Sequence, residues 1–274
     1  MEQAKKQKLA EIATNIRRNA LTAVYSASSG HPGGSLGISD ILAYLYFDVM
    51  NIDPKDPKNP ERDRFVLSKG HCAPALYGAL AEKGFLSRED MKGLRSADSF
   101  LEGHPDLKKI PGVEMSTGSL GQGICAANGM ALAGKMGGNS YRVYAILGDG
   151  ELQEGQVWEA AMFAPHYKLD NMTAIIDFNG LQIDGDVTKV MNPCPIDKKF
   201  EAFGWNVVMA DAHDFDSLEA AFENAKATKG KPTAIIAKSI KGKGVSFMEN
   251  EASWHGAAPN AEQYEQAMKE LGVE

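Results

Sequence analysis

The sequence predicts an α/β fold of three layers, in which a mainly parallel sheet is flanked by helices on both faces. Short apolar, β-branched runs alternate along the chain with longer stretches of helical periodicity, the pattern of a parallel sheet with crossover helices. The runs, such as residues 172–178 ("MTAIIDF"), are apolar throughout, as expected for strands covered on both faces. No linker-like segment or internal repeat interrupts the chain, so residues 1–274 are predicted to form one domain.

The individual elements follow from the same periodicities. An amphipathic helix is predicted over 4–27, and a second one through Ile41 and Tyr46 after the glycine-rich corner 28–37. The predicted strands are 64–68, 141–147, 172–178, 205–210 and 232–238, and the helices between them begin near Cys72 or cover 124–136, 158–167 and 216–228. The segments 51–63 and 179–194 are predicted to be loops.

Composition excludes several classes of function. The chain has 43% hydrophobic residues, a net charge of -7 and no basic block, which argues against nucleic-acid binding. The first residues lack the apolar core of a signal peptide, and no apolar run approaches the ~20 residues of a membrane span. Cys72, Cys125 and Cys194 are far apart, which fits a reducing compartment and not a CxxC zinc site. We therefore expect a cytoplasmic protein without membrane association.

The stretch "ILGDGELQEG", residues 146–155, places Asp149 between two glycines where a buried strand should end. A turn is one explanation, because Asp and Gly are common turn formers. The next predicted strand ends at Asn179, however, and neighbouring parallel strands would bring both polar side chains to one sheet edge. Carboxylate and amide oxygens suit Mg²⁺ or Ca²⁺, which completes its shell with phosphate and water oxygens. The pair therefore indicates a metal site for a diphosphate-bearing ligand.

The segments "GDGELQEGQVWEA" and "DFNGLQIDG" resemble the thiamine-diphosphate motif of transketolase. The resemblance implies a thiamine-diphosphate-binding domain of the PP type, with thiamine diphosphate and Mg²⁺ or Ca²⁺ as cofactors. It implies that Asp149 and Asn179 bind the metal through their side chains and Leu181 through its carbonyl, while Gly150 contacts the diphosphate. Glu154 also belongs to the implied cofactor site; like Glu159, it otherwise provides favourable acidic charge at a helix start.

Four of the six histidines lie in loops rich in glycine or proline: His31, His71, His104 and His255. Imidazoles titrate near neutrality and exchange protons with hydroxyls and carbonyls, and no spacing here suits zinc. All four motifs match transketolase in order. The resemblance implies that His31 and His255 handle substrate oxygens, that His71 lies near the cofactor diphosphate, and that His104 lies near the reacting carbon. His166 and His213 match no motif and are expected to be structural or exposed.

The segment "STGSLGQG" places small residues at the start of an apolar helix, where glycines allow close approach and the helix N-terminus favours anions. Helix packing against a partner explains the same pattern. The resemblance implies cofactor contacts for Gly118, Ser119 and Leu120. It also places two lysines, Lys69 and Lys241, near the diphosphate, although single lysines beside glycines are usually exposed.

The resemblance extends over roughly residues 8–260 but covers only the first of the three transketolase domains. The glutamate that activates the cofactor, and the groups that bind the sugar phosphate, belong in the family to the later domains. We therefore expect a split enzyme in which a C-terminal subunit supplies the pyrimidine-binding domain and the activating glutamate. The implied reaction transfers a two-carbon ketol unit from a ketose phosphate to an aldose phosphate, in an assembly of two copies of each chain (α2β2).

Other functions remain open at this point. A deoxyxylulose-phosphate synthase or the α-subunit of a 2-oxo acid dehydrogenase has the same cofactor motif, although "LQEG" and "WHG" favour transketolase. A non-catalytic binding protein that kept the fold is another alternative. A nicotinamide-dependent oxidoreductase is poorly supported, because no GxGxxG is followed by an acidic residue at the expected spacing. The choice between central pentose phosphate metabolism and a specialised sugar pathway stays open.

Overall fold

The computed structural model describes residues 1–273, and its centre is a sheet of five parallel strands. The strands of this sheet are β1 (Arg64–Leu67), β2 (Val143–Gly148), β3 (Met172–Phe178), β6 (Asn206–Asp211) and β7 (Thr233–Lys238). Their order is β1-β2-β3-β7-β6. Two short strands, β4 (Leu181–Gln182) and β5 (Gly185–Asp186), form a separate antiparallel hairpin. The predicted parallel sheet is confirmed.

Helices precede, separate and follow these strands, and several of them pack on the two faces of the sheet. They are α1 (Gln3–Ser26), α2 (Pro32–Gly37), α3 (Ser39–Tyr44), α4 (Ala73–Lys83), α5 (Gln122–Gly137), α6 (Gly155–His166), α7 (Val187–Met191), α8 (Ile196–Phe203), α9 (Phe215–Ala227) and α10 (Ala261–Glu270). Among residues 1–273, no helix is long and apolar enough to cross a bilayer.

Strand β2 shows how three layers form. Successive side chains of a strand point to opposite faces, and every side chain from Val143 to Leu147 is buried. Tyr144 and Ile146 belong to the core shared with α1, α3, α4 and α9. Val143, Ala145 and Leu147 belong to the core shared with α5, α6 and α8. The predicted three-layer architecture is therefore confirmed, with one hydrophobic core on each side of the sheet.

Two segments differ from the prediction. The glycine-rich corner 28–37 becomes helix α2 from Pro32 onward, because proline is well suited to a first helical turn and small residues allow close packing there. A Cβ on Gly33 would lie 2.9 Å from the backbone oxygen of Trp254. The predicted loop 179–194 contains the β4–β5 hairpin and α7, whose start is capped by the Asp186 side chain.

The sheet topology brings the two candidate metal-binding loops together. Strands β2 and β3 are parallel neighbours in which Gly148 lies opposite Asp177. The backbone N–H of Asp149 donates to the carbonyl of Asp177, with a nitrogen–oxygen distance of 3.2 Å. Both strands therefore end at the same edge, and the loops that follow them begin side by side.

Candidate active site

A cleft opens at the carboxyl edge of β2 and β3. Among the residues that line it are Lys69, His71, Leu120, Asp149, Gly150, Glu154, Asn179, Leu181, Lys241 and His255. Most of the residues singled out from the sequence therefore lie around one concave surface. Ser119 is exposed, while His31, His104 and Gly118 belong to a group of residues beside the cleft, described below.

Asp149 joins the two loops directly. Its Oδ1 accepts the backbone N–H of Gly150 at 2.8 Å, and its Oδ2 accepts that of Gly180 at 2.6 Å. The amide of Asn179 is oriented by its partners, because Nδ2 donates to Asp177 at 2.8 Å and Oδ1 accepts the N–H of Leu181 at 3.0 Å. An amide oxygen has two lone pairs, so one remains for a cation.

Asp177 is a residue that sequence reasoning missed. Its carboxylate is fully buried and accepts from Lys69, Ser239 and Asn179. Lys69 is 2% exposed, and although burial alone would lower its pKa, the negative charge of Asp177 raises it above the ordinary value. The signal in the sequence was a charged residue inside the apolar run "AIIDF", which calls for a buried partner.

Glu151 is the second missed residue. Both Glu154 and Glu159 are exposed, whereas Glu151 is 2% exposed and burial raises its pKa. Its carboxylate accepts the hydroxyl of Ser68 and the backbone N–H groups of Gly121 (2.9 Å) and Gly148 (3.0 Å). It thus connects the end of β1, the end of β2 and the start of α5. The residues after Gly150 form a 3₁₀ turn, and α6 begins only at Gly155.

The four loop histidines form one cluster. The ring centroid of His31 lies 5.1 Å from that of His71, 5.5 Å from that of His255 and 6.4 Å from that of His104. His71 and His255 are stacked with their centroids 5.0 Å apart. Gly118 contacts the same cluster, because a Cβ there would lie 2.9 Å from Cδ2 of His104. Only a residue without a side chain fits this position.

All four imidazoles are neutral at pH 7. Burial lowers the pKa of His31 to about 4, assisted by the charge of Arg95, and that of His255 to about 3, assisted by Lys241. Burial also lowers the pKa of His71 well below its usual value, and that of His104 to a smaller extent. The Nζ atom of Lys241 lies 3.0 Å from Nδ1 of His255. Lysine is a donor only, so Nδ1 accepts and the ring proton is on Nε2.

Residues 8–274 match the family model described as transketolase, thiamine diphosphate binding domain. The chain belongs to the transketolase family. One of the subunits of the apulose-4-phosphate transketolase of Phocaeicola vulgatus is 45% identical over 255 residues, covering 93% of this chain and 90% of that protein. The 6-deoxy-6-sulfo-D-fructose transketolase subunit SqwG of Clostridium sp. is 47% identical over 260 residues, covering 94% of each. The predicted family is thus confirmed.

Longer transketolases match only in part. The transketolase of Homo sapiens is 45% identical over 272 residues, which are 98% of this chain and 43% of the human protein. The crystal structure of the Campylobacter jejuni transketolase has a TM-score of 0.92 and 37% identity, again covering 98% of this chain and 43% of that one. The chain therefore spans less than half the length of these transketolases.

The cofactors that the transketolase family implies fit the charges of the cleft. Asp149 is 1% exposed, and its pKa is raised to about 6 because burial and the charge of Asp177 outweigh its two backbone hydrogen bonds. A divalent cation would stabilise this carboxylate. Among residues 1–273, no three His, Cys, Asp or Glu side chains are arranged to hold a metal. A cation at Asp149 would therefore need amide, carbonyl, phosphate or water oxygens as its other ligands.

Lys241 is the opposite case, a buried positive charge in the same cleft. It is 2% exposed, and burial together with the charge of Lys69 lowers its pKa. Among residues 1–273 it makes no ion pair with a carboxylate, whereas Lys69 is paired with Asp177. A buried ammonium group without a counterion fits an anion such as a diphosphate. The same cleft therefore offers a carboxylate that lacks a cation and a cation that lacks an anion.

The histidine cluster predicts acid sensitivity of the cofactor-free chain. A histidine whose pKa is lowered in the folded state stabilises the fold above pH 6.5, and this contribution is lost as the pH falls towards its folded pKa. For His255 this contribution is lost between pH 6.5 and a pH of about 3. Replacing His255→Asn should therefore reduce the loss of unfolding free energy between pH 7 and pH 4 by roughly 2 kcal/mol, after an allowance for solvent screening.

Urea denaturation of the wild type and of His255→Asn at several pH values measures this difference. His166→Asn is the matched control, because His166 is exposed at the end of α6 and lies outside the histidine cluster. Identical pH dependence in the wild type and in His255→Asn would contradict the assignment.

Proposed function

We propose that this chain is the diphosphate-binding subunit of a two-chain transketolase. With a complementary subunit it transfers a two-carbon ketol unit from a ketose phosphate to an aldose phosphate. The observation that carries the proposal is the meeting of Asp149, Asn179 and Leu181 at the edge of β2 and β3, where oxygen ligands and the buried Lys241 line one cleft. The division into two chains is supported by two relatives of similar length, both named as transketolase subunits.

Residues of this chain are suited to hold the metal and the diphosphate of the cofactor. Mg²⁺ or Ca²⁺ is proposed to bind the side chains of Asp149 and Asn179 and the carbonyl of Leu181. Gly150, which has no side chain, is proposed to contact the diphosphate through its backbone. Lys241 is proposed to contact it through its ammonium group. Gly118, Ser119, Leu120 and Glu154 remain proposed contacts to the rest of the cofactor. His71 completes this side of the cleft.

Thiamine diphosphate, when bound, supplies the carbon nucleophile that ketol transfer needs. The chain itself supplies proton donors and acceptors beside it. His255 carries its proton on Nε2 and can donate it to a substrate oxygen, because Lys241 occupies Nδ1. Neutral His31 and His104 can accept protons from sugar hydroxyls at pH 7. We propose these three as the catalytic histidines of this chain.

The complementary subunit is proposed to supply the pyrimidine-binding domain, the activating glutamate and most of the groups that select the sugar. Two copies of each chain would form the enzyme. The names of the two subunit relatives refer to a sugar phosphate and to a sulfonated sugar, so the anionic group of the natural substrate is open to test. Pentose phosphates of central metabolism and rarer branched or deoxy sugars would use the same diphosphate-binding domain.

The experiment combines the chain with the complementary subunit, thiamine diphosphate, Mg²⁺, a ketose phosphate and an aldose phosphate. Formation of the ketol-transfer product is expected, and neither of the two chains on its own should produce it. Parallel assays with a sulfonated ketose and with pyruvate distinguish the substrate classes. Absence of ketol transfer from every sugar donor, or decarboxylation of pyruvate in its place, would contradict the proposal.

A further inference from the structure

His213 lies outside the cleft, in the loop between β6 and α9, and has no role in the function proposed above. Its Nε2 lies 2.9 Å from the backbone nitrogen of Ile240, and its Nδ1 lies 2.7 Å from Oδ2 of Asp40. A backbone N–H can only donate, so Nε2 is the acceptor. A neutral imidazole then carries its proton on Nδ1 and donates it to Asp40. The environment thus fixes one tautomer of His213.

Asp40 and Arg17 continue this network towards α2. Asp40 is 7% exposed, and its carboxylate accepts from both terminal nitrogens of the Arg17 guanidinium. Burial opposes ionisation of Asp40, but Arg17 and His213 outweigh it and lower its pKa. The Nε of Arg17 donates to the carbonyl of Leu36, near the end of α2, at 3.2 Å. We call Arg17, Asp40 and His213 the brace.

The two ends of the brace hold two walls of the cleft. One end binds α2, the helix that begins directly after His31. The other end binds Ile240, the residue before Lys241. The two walls also touch each other, because the N–H of Gly242 donates to the carbonyl of Gly33 at 2.8 Å. The brace therefore connects the backbones of both walls through the buried side chains of Arg17 and Asp40 and the half-buried ring of His213.

Lys241 needs such support more than most lysines. Its side chain is almost fully buried, and the methylene groups pack against Gly33, where a Cβ would lie 3.1 Å from Cγ of Lys241. Burying an ammonium group is costly, so an alternative in which this side chain turns towards water competes with the observed one. The hydrogen bond from Ile240 to His213 limits that alternative by fixing the backbone immediately before Lys241.

We propose that His213 is a positioning residue, which acts through the brace to hold the Lys241 ammonium group against His255 in the cleft. This inference rests on the proposed function, because it assigns Lys241 to the diphosphate. The brace then sets how well the chain binds a diphosphate group, without itself touching the ligand. The contribution of the brace to diphosphate binding depends on two atoms of His213, one acceptor facing the N–H of Ile240 and one donor facing Asp40.

Two substitutions at His213 test this requirement. His213→Phe keeps a ring and removes both hydrogen bonds. His213→Gln keeps an amide oxygen that accepts from Ile240 and an amide nitrogen that donates to Asp40. The control is His166→Phe, at an exposed histidine on α6. Calorimetry with thiamine diphosphate and Mg²⁺, and with unphosphorylated thiamine, measures binding to the chain together with its complementary subunit.

The expected pattern separates positioning from general stability. His213→Phe should weaken thiamine diphosphate binding by about tenfold, as for other outer partners of a binding site, and leave thiamine binding unchanged. The affinity of His213→Gln for thiamine diphosphate should stay within about threefold of the wild-type value, and that of His166→Phe should equal the wild-type value. Equal binding of thiamine diphosphate by the wild type and His213→Phe, or equal losses in the Phe and Gln variants, would overturn the proposal.

A second readout needs no cofactor and so remains valid if the proposed function fails. In ¹⁵N-histidine NMR spectra of the cofactor-free chain, Nδ1 of His255 should show the signature of an unprotonated, hydrogen-bonded nitrogen. Lys241→Met and His213→Phe should both shift this signal, whereas His213→Gln should preserve it. An unchanged signal in His213→Phe would refute the brace, while a shifted signal without any binding of thiamine diphosphate by the wild type would refute only the proposed function.

Discussion

Replacing Asp149→Ala is expected to weaken the Mg²⁺-dependent binding of thiamine diphosphate by at least about 100-fold, since even outer partners of metal sites are worth 10–100-fold. The substitution removes the only carboxylate among the three proposed metal ligands. It also removes the acceptor that holds the N–H groups of Gly150 (2.8 Å) and Gly180 (2.6 Å), so the two loops lose their direct connection. The loss should therefore combine ligand removal with disorder of the second ligand loop.

Calorimetric titrations with and without Mg²⁺ measure the effect. The matched control is Asp184→Ala, which removes the same charge from the exposed turn between β4 and β5, close to the cleft. This control should bind like the wild type. If Asp149→Ala retained the Mg²⁺-dependent part of the affinity, the metal would have to lie elsewhere, and the assignment of Asp149 as a ligand would be wrong.

Replacing Asp177→Ala is expected to lower the free energy of unfolding by about 3–5 kcal/mol, the cost of leaving one partner of a buried ion pair alone. Asp177 is fully buried, and its removal leaves the ammonium group of Lys69, which is 2% exposed, without a counterion. The hydroxyl of Ser239 and the amide of Asn179 lose their acceptor as well. Urea denaturation of the cofactor-free chain gives the value.

A double substitution separates stability from function at this position. Lys69→Met combined with Asp177→Leu removes both charges, and most of the lost stability should return, as in other buried pairs replaced by apolar residues. Binding of thiamine diphosphate should stay weak, because the amide of Asn179 then loses its Asp177 acceptor and is held only by the N–H of Leu181. Glu201→Ala is the control: its ion pair with Lys198 is exposed and should be worth less than about 1 kcal/mol. A similarly small effect of Asp177→Ala would contradict the account of the buried pair.

The fold and much of the candidate site were predictable because they depend on local patterns. Apolar strands that alternate with helices specify a parallel sheet, and that sheet brings the residues after β2 and β3 to one edge. Asp149 and Asn179 could therefore be placed together without coordinates. The glycine-rich loops around His31, His71 and His255 were recognisable from the resemblance, and the structure brings their rings within 5.0 to 5.5 Å.

The supporting residues were harder to predict because their partners are distant in the sequence. Asp177 pairs with Lys69 across 108 positions, and Glu151 accepts from Ser68 across 83. His213 meets Asp40 across 173 positions. No local pattern encodes such pairs, and a buried charge in a strand reveals only that some partner must exist. The helix α2 was missed for a related reason, since glycines lower helix propensity and only tertiary packing explains their place in it.

The most direct test is a crystal structure of the chain, with its complementary subunit, thiamine diphosphate and Mn²⁺, in which anomalous scattering locates the metal. We expect one metal position per cleft, within about 2.5 Å of a carboxylate oxygen of Asp149, of Oδ1 of Asn179 and of the carbonyl of Leu181, with the remaining ligands from the diphosphate and water. A metal bound at other residues, or a cofactor bound with no metal at these oxygens, would contradict this expectation.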